Sequence, residues 1–275
     1  MVIKLGFSPC PNDTFIFDAL VNNKINTGEL KFEVFLEDVQ TLNDMAIKNQ
    51  LDVTKISYGV LPLLINNYTV LNSGSALGSG VGPLLISKEY LDPKEINNYT
   101  IAIPGQNTTA HLLFNLAFPN AKNKIFLRYD EIESFVLNSS DQKNLGVIIH
   151  ENRFTYQDKG LIKIIDLGDF WEKTTSAPIP LGGIVAKNNM DRNLIKKVDS
   201  LIKESIQFSF SNYPVLSDYV KKHAQEMSVD VMRKHIDLYV NDFSIDLGEK
   251  GKNAIIQLLS YSNEPQKLTK ESLFI

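Results

Sequence analysis

The chain has 275 residues, of which 43% are hydrophobic and 22% are charged, and its formal net charge is −4. That length is enough for one large domain or two medium ones. The acidic balance and the lack of clustered Lys and Arg argue against a nucleic-acid partner. Cys10 is the only cysteine, which excludes an intramolecular disulfide and argues against a cysteine-based zinc site.

The N-terminal segment and the hydropathy pattern bear on location. Met1–Gly6 leads directly into a strand pattern, without the charged leader and apolar stretch of a signal peptide. No apolar run approaches the ~20 residues that cross a bilayer. We therefore expect a cytoplasmic protein with no membrane insertion. The sequence does not indicate an oligomeric state.

Strand patterns alternate with helical patterns through the first two thirds of the chain. Strands are predicted at Val2–Ser8, Lys31–Glu37, Val53–Ser57, Pro83–Ser87, Thr100–Pro104, Lys124–Tyr129, Leu145–Ile149, Leu161–Asp166 and Leu181–Lys187. Helices are predicted at 14–22, Thr41–Asn49, Gly59–Asn66, Thr108–Phe118, Ile132–Asn138, Leu194–Phe210, Val215–His223, Ser228–Tyr239 and Gly248–Leu259. Such alternation is typical of parallel sheets with crossover helices.

Two runs of strands and helices, followed by a helical C-terminal part, predict an α/β protein with two lobes. The chain is expected to pass between the lobes near Ser87–Tyr99 and again near Ala177–Leu181. The predicted first lobe is discontinuous and comprises residues 1–95 and 182–275, whereas the second comprises residues 96–181. A ligand cleft is expected between them.

Polar residues at strand ends indicate where a ligand binds, because open parallel sheets bind ligands beyond the carboxyl ends of their strands. These residues are Ser8–Thr14, Ser57, Gln106–Thr109 and His150-Glu151. They come from both predicted lobes. We therefore expect them to face one cleft.

Two of these segments also have a purely structural interpretation. Ser8–Thr14 (SPCPNDT) is either part of a site or a proline-stiffened turn with a helix N-cap. Gln106–Thr109 precedes a helix, whose free N–H groups suit a carboxylate, but a threonine there is also an ordinary cap. Neither phosphate-loop pattern of nucleotide-binding proteins occurs here.

His150 is the candidate for proton transfer. It follows the apolar run Leu145–Ile149 and precedes Glu151, and imidazole is the side chain best suited to acid–base chemistry near neutral pH. A packed, hydrogen-bonded histidine is the alternative, although the position at a strand end favours a role in the cleft.

Motifs for other chemistries are missing from the sequence. It has no His-x-x-x-His pair, so we expect no metal, and no G-x-S-x-G turn, which argues against an α/β-hydrolase. We expect no cofactor. The predicted ligand is a small carboxylate.

Several segments carry a family resemblance. Residues 6–17 (GFSPCPNDTFIF) closely resemble the signature of the 1,4-dihydroxy-6-naphthoate synthases of the futalosine route to menaquinone. The resemblance continues at 36–39, 54–58, 74–83, 108–110, 148–156, 239–241 and 243–244. It therefore spans nearly the whole chain.

The resemblance implies a type-2 periplasmic-binding-protein-like fold, which has two lobes, mixed and mostly parallel sheets and a central cleft. The implied substrate is cyclic dehypoxanthine futalosine. The family's catalytic histidine falls on His150 and its substrate-contacting positions on Lys55, Ile56, Ser57, Thr109 and Ala110. Asp13 and Asn43 are further cleft residues, by similarity and by their loop positions.

The residues and the resemblance together predict a carbon–carbon lyase without a cofactor. His150 would remove a proton alpha to the substrate ketone. Two alternatives remain: a chorismate dehydratase-like enzyme of the same pathway, and a non-catalytic protein that binds a small anion between two lobes.

Overall fold

The computed structural model describes residues 1–140, 143–224, 228–262 and 270–275. Its strands are β1 Val2–Phe7, β2 Lys31–Leu36, β3 Val53–Ser57, β4 Tyr68–Val70, β5 Ala76–Gly78, β6 Leu84–Ser87, β7 Thr100–Ile103, β8 Lys124–Phe126, β9 Asn144–Ile148, β10 Ile162–Asp166 and β11 Ile179–Lys187. Its helices are α1 Pro11–Val21, α2 Val39–Ile47, α3 Thr109–Ala117, α4 Ile132–Leu137, α5 Asn152–Thr155, α6 Leu167–Thr175, α7 Arg192–Asn212, α8 Asp218–His223, α9 Val229–Tyr239, α10 Asp242–Ile245, α11 Gly248–Leu259 and α12 Lys270–Leu273.

The strands form two mixed sheets. In the first sheet the order is β2-β1-β3-β11-β4, and β5 pairs with β11. β1 is parallel to β2 and β3, whereas β11 is antiparallel to its neighbours. In the second sheet the order is β10-β6-β9-β7-β8. Here β7 is parallel to β8 and β9, and β6 is antiparallel to β9 and β10. Each sheet therefore has a parallel core extended by antiparallel strands.

The position of β6 differs from the predicted division at residues 95 and 96. β6 pairs with β9 and β10, so the chain enters the second sheet before residue 84. β6 is apolar and buried along its whole length, and such a strand does not reveal by its own pattern which sheet it joins. The division of the whole chain into lobes stays a prediction.

The local structure after β1 and β3 also differs from the expectation. α1 begins at Pro11 instead of residue 14, because proline is well suited to the first turn of a helix. The helix predicted at Gly59–Asn66 is a 3-10 turn over Tyr58–Leu63, with Pro62 inside it. Proline removes a backbone donor and so opposes a regular α-helix there.

Buried apolar residues connect the two sheets behind the cleft. One cluster includes Ile56 and Val185 of the first sheet together with Ile101 and Val147 of the second. A separate cluster packs α1 and α7 against the first sheet. The strand ends of both sheets are thereby held close to each other.

Within the described part of the chain, none of the helices has the length and apolar character that crossing a membrane requires.

Candidate active site

The main cleft lies where strand ends of the two sheets approach each other. It is lined by residues from both sheets and from the loops and helices that follow their strands. Its walls are formed by Ser8, Asn12, Asp13, Val39, Lys55, Ile56, Ser57, Ala76, Val81, Gly82, Pro83, Thr108, Thr109, Ala110, Ile149, His150, Leu181, Gly182 and Tyr239.

Asp13 and Lys55 form a buried ion pair on the first-sheet side. The Lys55 Nζ lies 3.1 Å from Asp13 Oδ1, and the side chains are 6% and 3% exposed. The backbone N–H and the hydroxyl of Ser8 both donate to Asp13 Oδ2, at 3.2 and 2.7 Å. Lys55 also donates to the Gly74 carbonyl at 2.9 Å. Because the Lys55 ammonium and the Asp13 carboxylate pair with each other, neither is an unpaired charge to which a ligand could bind.

Asn43 holds Ser57 at the end of β3. Its Oδ1 accepts from the Ser57 N–H at 2.9 Å, and its Nδ2 donates to Ser57 Oγ at 3.2 Å and to the Asn107 carbonyl at 3.1 Å. Since the Ser57 hydroxyl accepts from Asn43, its own proton remains available to a ligand. Asn43 also ties α2 to the turn before α3.

Thr109 and Ala110 begin α3, so their N–H groups have no partner within the helix. The Thr109 hydroxyl donates to the Leu181 carbonyl at 2.6 Å and accepts from the Gly59 N–H at 3.0 Å. This close approach requires glycine, because a Cβ on Gly59 would lie 2.7 Å from a Thr108 backbone atom. The helix start therefore offers backbone N–H groups to an anion, while the Thr109 hydroxyl is occupied in structural bonds.

His150 lies two residues beyond β9 and lines the cleft from the second sheet. Its backbone has a left-handed φ of 56°, which turns the chain sharply as it leaves the sheet. The ring packs edge-on against Tyr129, with centroids 5.0 Å apart. The side chain is partly buried, and its Nε2 is inaccessible and without a hydrogen-bond partner among the described residues.

Burial lowers the pKa of His150 from 6.5 to about 4, because removal from water penalises the imidazolium. The carboxylates of Asp13 and Asp38 oppose this shift and Lys55 adds to it. The imidazole is therefore neutral near pH 7 and has a lone pair with which to accept a proton.

Two further groups lie beside His150. The fully buried His235 on α9 has its ring centroid 6.2 Å from that of His150, and both of its nitrogens lack a partner among the described residues. On the other side, one ligand atom each of Cys10, His150 and Glu151 lie within 4.8 Å of one another. Burial, followed by the Glu151 carboxylate, raises the pKa of the Cys10 thiol well above its usual value.

The cleft brings together most of the residues predicted from the sequence. Its walls include Asp13, Lys55, Ile56, Ser57, Thr109, Ala110 and His150. Asn43 is fully buried behind Ser57 and does not line the cleft, so it can act on a ligand only through Ser57 and the turn at Asn107.

The sequence did not single out Tyr129, His235 or Tyr239. Tyr239 lines the cleft and its ring lies 4.7 Å from that of His235. Tyr239 begins one of the segments that carry the family resemblance. For His235, the helical pattern allowed either a solvent-facing or a core position.

Chemically, the cleft combines a neutral imidazole with donors for an anion. Such a combination suits proton abstraction from a carbon acid, with the resulting negative charge held by hydrogen bonds.

Comparisons with known proteins identify the family. The family model described as "Menaquinone biosynthesis" matches residues 3–264. A 1,4-dihydroxy-6-naphthoate synthase from Thermus thermophilus is 40% identical over 258 residues, which are 94% of this chain and 93% of that protein. The chain belongs to the 1,4-dihydroxy-6-naphthoate synthase family of menaquinone biosynthesis. A second member, from Streptomyces coelicolor, is 38% identical over 94% of this chain and 92% of its own length. The resemblance seen in the sequence is confirmed.

Solved structures confirm the fold of this family member. A crystal structure of a protein from Archaeoglobus fulgidus matches with a TM-score of 0.88 and 29% identity, over 94% of this chain and 96% of that one. The periplasmic aliphatic sulphonate binding protein of Escherichia coli matches with a TM-score of 0.65 at 9% identity, over 100% and 92% of the two chains. The latter shares the fold alone. The predicted periplasmic-binding-protein-like fold is confirmed.

Proposed function

We propose that the protein is a carbon–carbon lyase that converts cyclic dehypoxanthine futalosine to 1,4-dihydroxy-6-naphthoate and a sugar-derived fragment, without a cofactor. The observation that carries this proposal is the position of His150, a neutral imidazole that lines the same cleft as the hydrogen-bond donors Ser57, Thr109 and Ala110. Membership of the synthase family supports the choice of substrate.

His150 acts as the general base. Its Nε2 is closed off from solvent, so Nδ1 is the nitrogen left to meet a substrate in the cleft. Nδ1 removes the acidic proton alpha to the substrate ketone, and the electron pair of the C–H bond becomes an enolate. Elimination with carbon–carbon cleavage then releases the sugar-derived fragment, and formation of the aromatic ring favours the products.

Groups that follow strands of both sheets bind the substrate. The Ser57 hydroxyl, whose oxygen already accepts from Asn43, donates to the substrate carboxylate, and so do the N–H groups of Thr109 and Ala110 at the start of α3. Ile56 supplies apolar contact. Lys55 and Asp13 hold the first-sheet side of the cleft in place as a paired, neutral unit.

The site favours the lyase over a non-catalytic binding protein. Capture of a carboxylate needs hydrogen-bond donors only, whereas a neutral imidazole on the cleft wall also offers a lone pair that can accept a proton. The chorismate dehydratase-like activity differs from the proposed one in its substrate, and the family membership favours the naphthoate synthase reaction.

Incubation of the purified full chain with cyclic dehypoxanthine futalosine, and separately with chorismate, distinguishes the three functions by mass spectrometry of the products. We expect 1,4-dihydroxy-6-naphthoate from the first substrate and no product from the second. Conversion of chorismate alone would support the dehydratase. Binding of either compound without turnover would support the non-catalytic protein.

A further inference from the structure

Three side chains that bind transition metals meet beside the cleft. They are Cys10, His150 and Glu151, and one ligand atom from each lies within 4.8 Å of the other two. Cys10 is the N-cap of α1, next to the first sheet, whereas His150 and Glu151 follow β9 of the second. The group is therefore assembled by the fold, and the sequence pattern did not predict it.

Polar groups at this position lack hydrogen bonds that buried groups normally make. The His150 Nε2 is inaccessible and has no partner among the described residues, and the inaccessible Tyr129 hydroxyl has no neighbour for a hydrogen bond except the Cys10 thiol. The rings of His150 and Tyr129 are in contact. Nearly all buried polar atoms in proteins are hydrogen-bonded, and an exception calls for a specific cause such as a bound ion or a functional role.

We propose that Cys10, His150 and Glu151 bind a divalent cation of the zinc type. Thiolate, imidazole and carboxylate are the three side-chain ligands that proteins use for Zn²⁺, whereas Mg²⁺ prefers an all-oxygen site. The two negative ligands balance the two positive charges of the ion, so the occupied site is neutral. Neutrality matters because an uncompensated charge is costly in a buried position.

The geometry allows such a site after a small rearrangement. With bonds of about 2.1 Å to nitrogen and oxygen, ligand atoms around a tetrahedral zinc lie roughly 3.4 Å apart. The three atoms here are at most 4.8 Å apart, so side-chain shifts on the order of 1 Å bring them to bonding distance. On binding, the Cys10 thiol loses its proton to solvent, and the sulfur forms the bond to the metal.

The functional consequence depends on the proposed role of His150 as the base. A neutral imidazole carries one proton and one lone pair, so a metal that binds the Nε2 lone pair leaves the proton on Nδ1, which can then no longer accept a proton from the substrate. Zinc is therefore a reversible inhibitor of the lyase, and a chelator restores activity. The site couples turnover to the concentration of free zinc.

Metal binding is tested directly, without any assay of turnover. The full chain is treated with chelator, exchanged into buffer and titrated with Co²⁺, which substitutes for Zn²⁺ and gives a thiolate-to-cobalt charge-transfer band. Because Cys10 is the only cysteine of the chain, this band can arise only here. We expect one cobalt per chain and displacement by Zn²⁺. Absence of the band would overturn the proposal.

Two variants assign the ligands. Cys10→Ser should abolish the charge-transfer band, and Glu151→Gln should keep the band but weaken affinity at least tenfold, since even residues that only support metal ligands contribute 10–100-fold. The matched control is Asp169→Asn, which neutralises an exposed carboxylate on α6 in the same way. If Glu151→Gln binds Co²⁺ as tightly as the control Asp169→Asn does, Glu151 is not a ligand of the metal.

Inhibition by zinc is measured separately, with cyclic dehypoxanthine futalosine as the substrate. Zn²⁺ should inhibit the unmodified chain and not Cys10→Ser, Mg²⁺ should inhibit neither, and chelator should reverse the effect. Turnover that is equally zinc-sensitive in both proteins would overturn the inhibitory role. If no substrate is converted at all, the proposed lyase function fails while the cobalt titration still decides the metal site.

Discussion

The two walls of the cleft differ in how their polar groups are satisfied. On the first-sheet wall, defined by Asp13, Lys55 and Ser57 with Asn43 behind them, each of these side chains has hydrogen-bond or ion-pair partners, although the neighbouring Asn12 Oδ1 has none among the described residues. By contrast, the His150 pocket comprises Tyr129, His150 and His235. Each of these has a buried nitrogen or oxygen without a partner among the described residues, except that the Tyr129 hydroxyl has the Cys10 thiol beside it.

This difference indicates separate roles for the two walls. Side chains that are held by such partners are preorganised and hold a ligand in one position. Groups that lack partners are costly to keep in the free protein and gain most when a substrate, a proton or an ion arrives. We therefore propose that the first-sheet wall contributes mainly to binding and the His150 pocket to chemistry.

The strongest test of this separation is His150→Asn. Asparagine tolerates the left-handed backbone found at this position, so the turn is retained while the base is lost. We expect kcat to fall about 10²–10⁴-fold, the usual contribution of a positioned base, with little change in KM. Steady-state kinetics measure both constants. The matched control, His223→Asn on α8, should behave like the unmodified protein, and near-normal kcat in His150→Asn would refute the assignment.

The second test removes one partner of the buried ion pair. Lys55→Met leaves the Asp13 carboxylate buried without its cation, which typically costs about 3–5 kcal/mol. Urea unfolding measures the loss in free energy of unfolding.

The double variant Asp13→Asn/Lys55→Met supplies the control, because it removes both charges. We expect it to be more stable than Lys55→Met alone. If the single variant loses less than about 1 kcal/mol, the value typical of an exposed pair, the first-sheet wall does not depend on this interaction.

A smaller effect is expected from Asn43→Ala. This change removes the bonds to Ser57 and Asn107 and leaves the buried Ser57 N–H without a partner, at a cost of about 1–3 kcal/mol. KM should rise while kcat changes less, because Asn43 supports binding only. Unfolding experiments and steady-state kinetics report the two effects, with the exposed Asn97→Ala as control. A selective loss of kcat would contradict the separation of roles.

The smallest expected effect is that of pH on turnover near neutrality. Since the pKa of His150 is lowered to about 4, the base stays neutral down to roughly pH 5. In buffers that contain chelator, kcat/KM should be flat between about pH 6 and 8 and fall only as the pH approaches 4. A fall centred near 6.5 would show that the imidazole is hydrated in the free enzyme.

The lowered pKa of His150 also makes the free energy of unfolding depend on pH. The unfolded chain binds a proton at His150 with the ordinary pKa of about 6.5, above that of the folded state. Between about pH 6.5 and 4 the unfolded state therefore holds more protons, and stability decreases as the pH falls. His150→Asn should flatten this part of the stability profile measured by urea unfolding.

Much of the fold could be predicted from local patterns. The buried run at Val53–Ser57 is β3, and the polar residues at strand ends line the cleft, because parallel strands place their carboxyl ends at one edge. The sheet that β6 joins could not be predicted, since a strand buried on both faces has no pattern that selects a partner.

The parts of the site that the sequence did not predict depend on long-range packing. Cys10 and Glu151 are 141 positions apart and meet only when both sheets have formed. Asn43 was expected in the cleft and lies behind it, because its amide is used to hold Ser57. Residue type alone does not distinguish a group that touches a ligand from one that supports it.

The insertion of β11 between β3 and β4 has a consequence for how the protein folds during synthesis. The strands of the second sheet all lie between residues 84 and 166, so this sheet can assemble from one continuous stretch of chain. The first sheet cannot close until residues 179–187 have emerged from the ribosome. Although Asp13 and Lys55 are made early, we expect their wall to be completed late, after the half that contains His150.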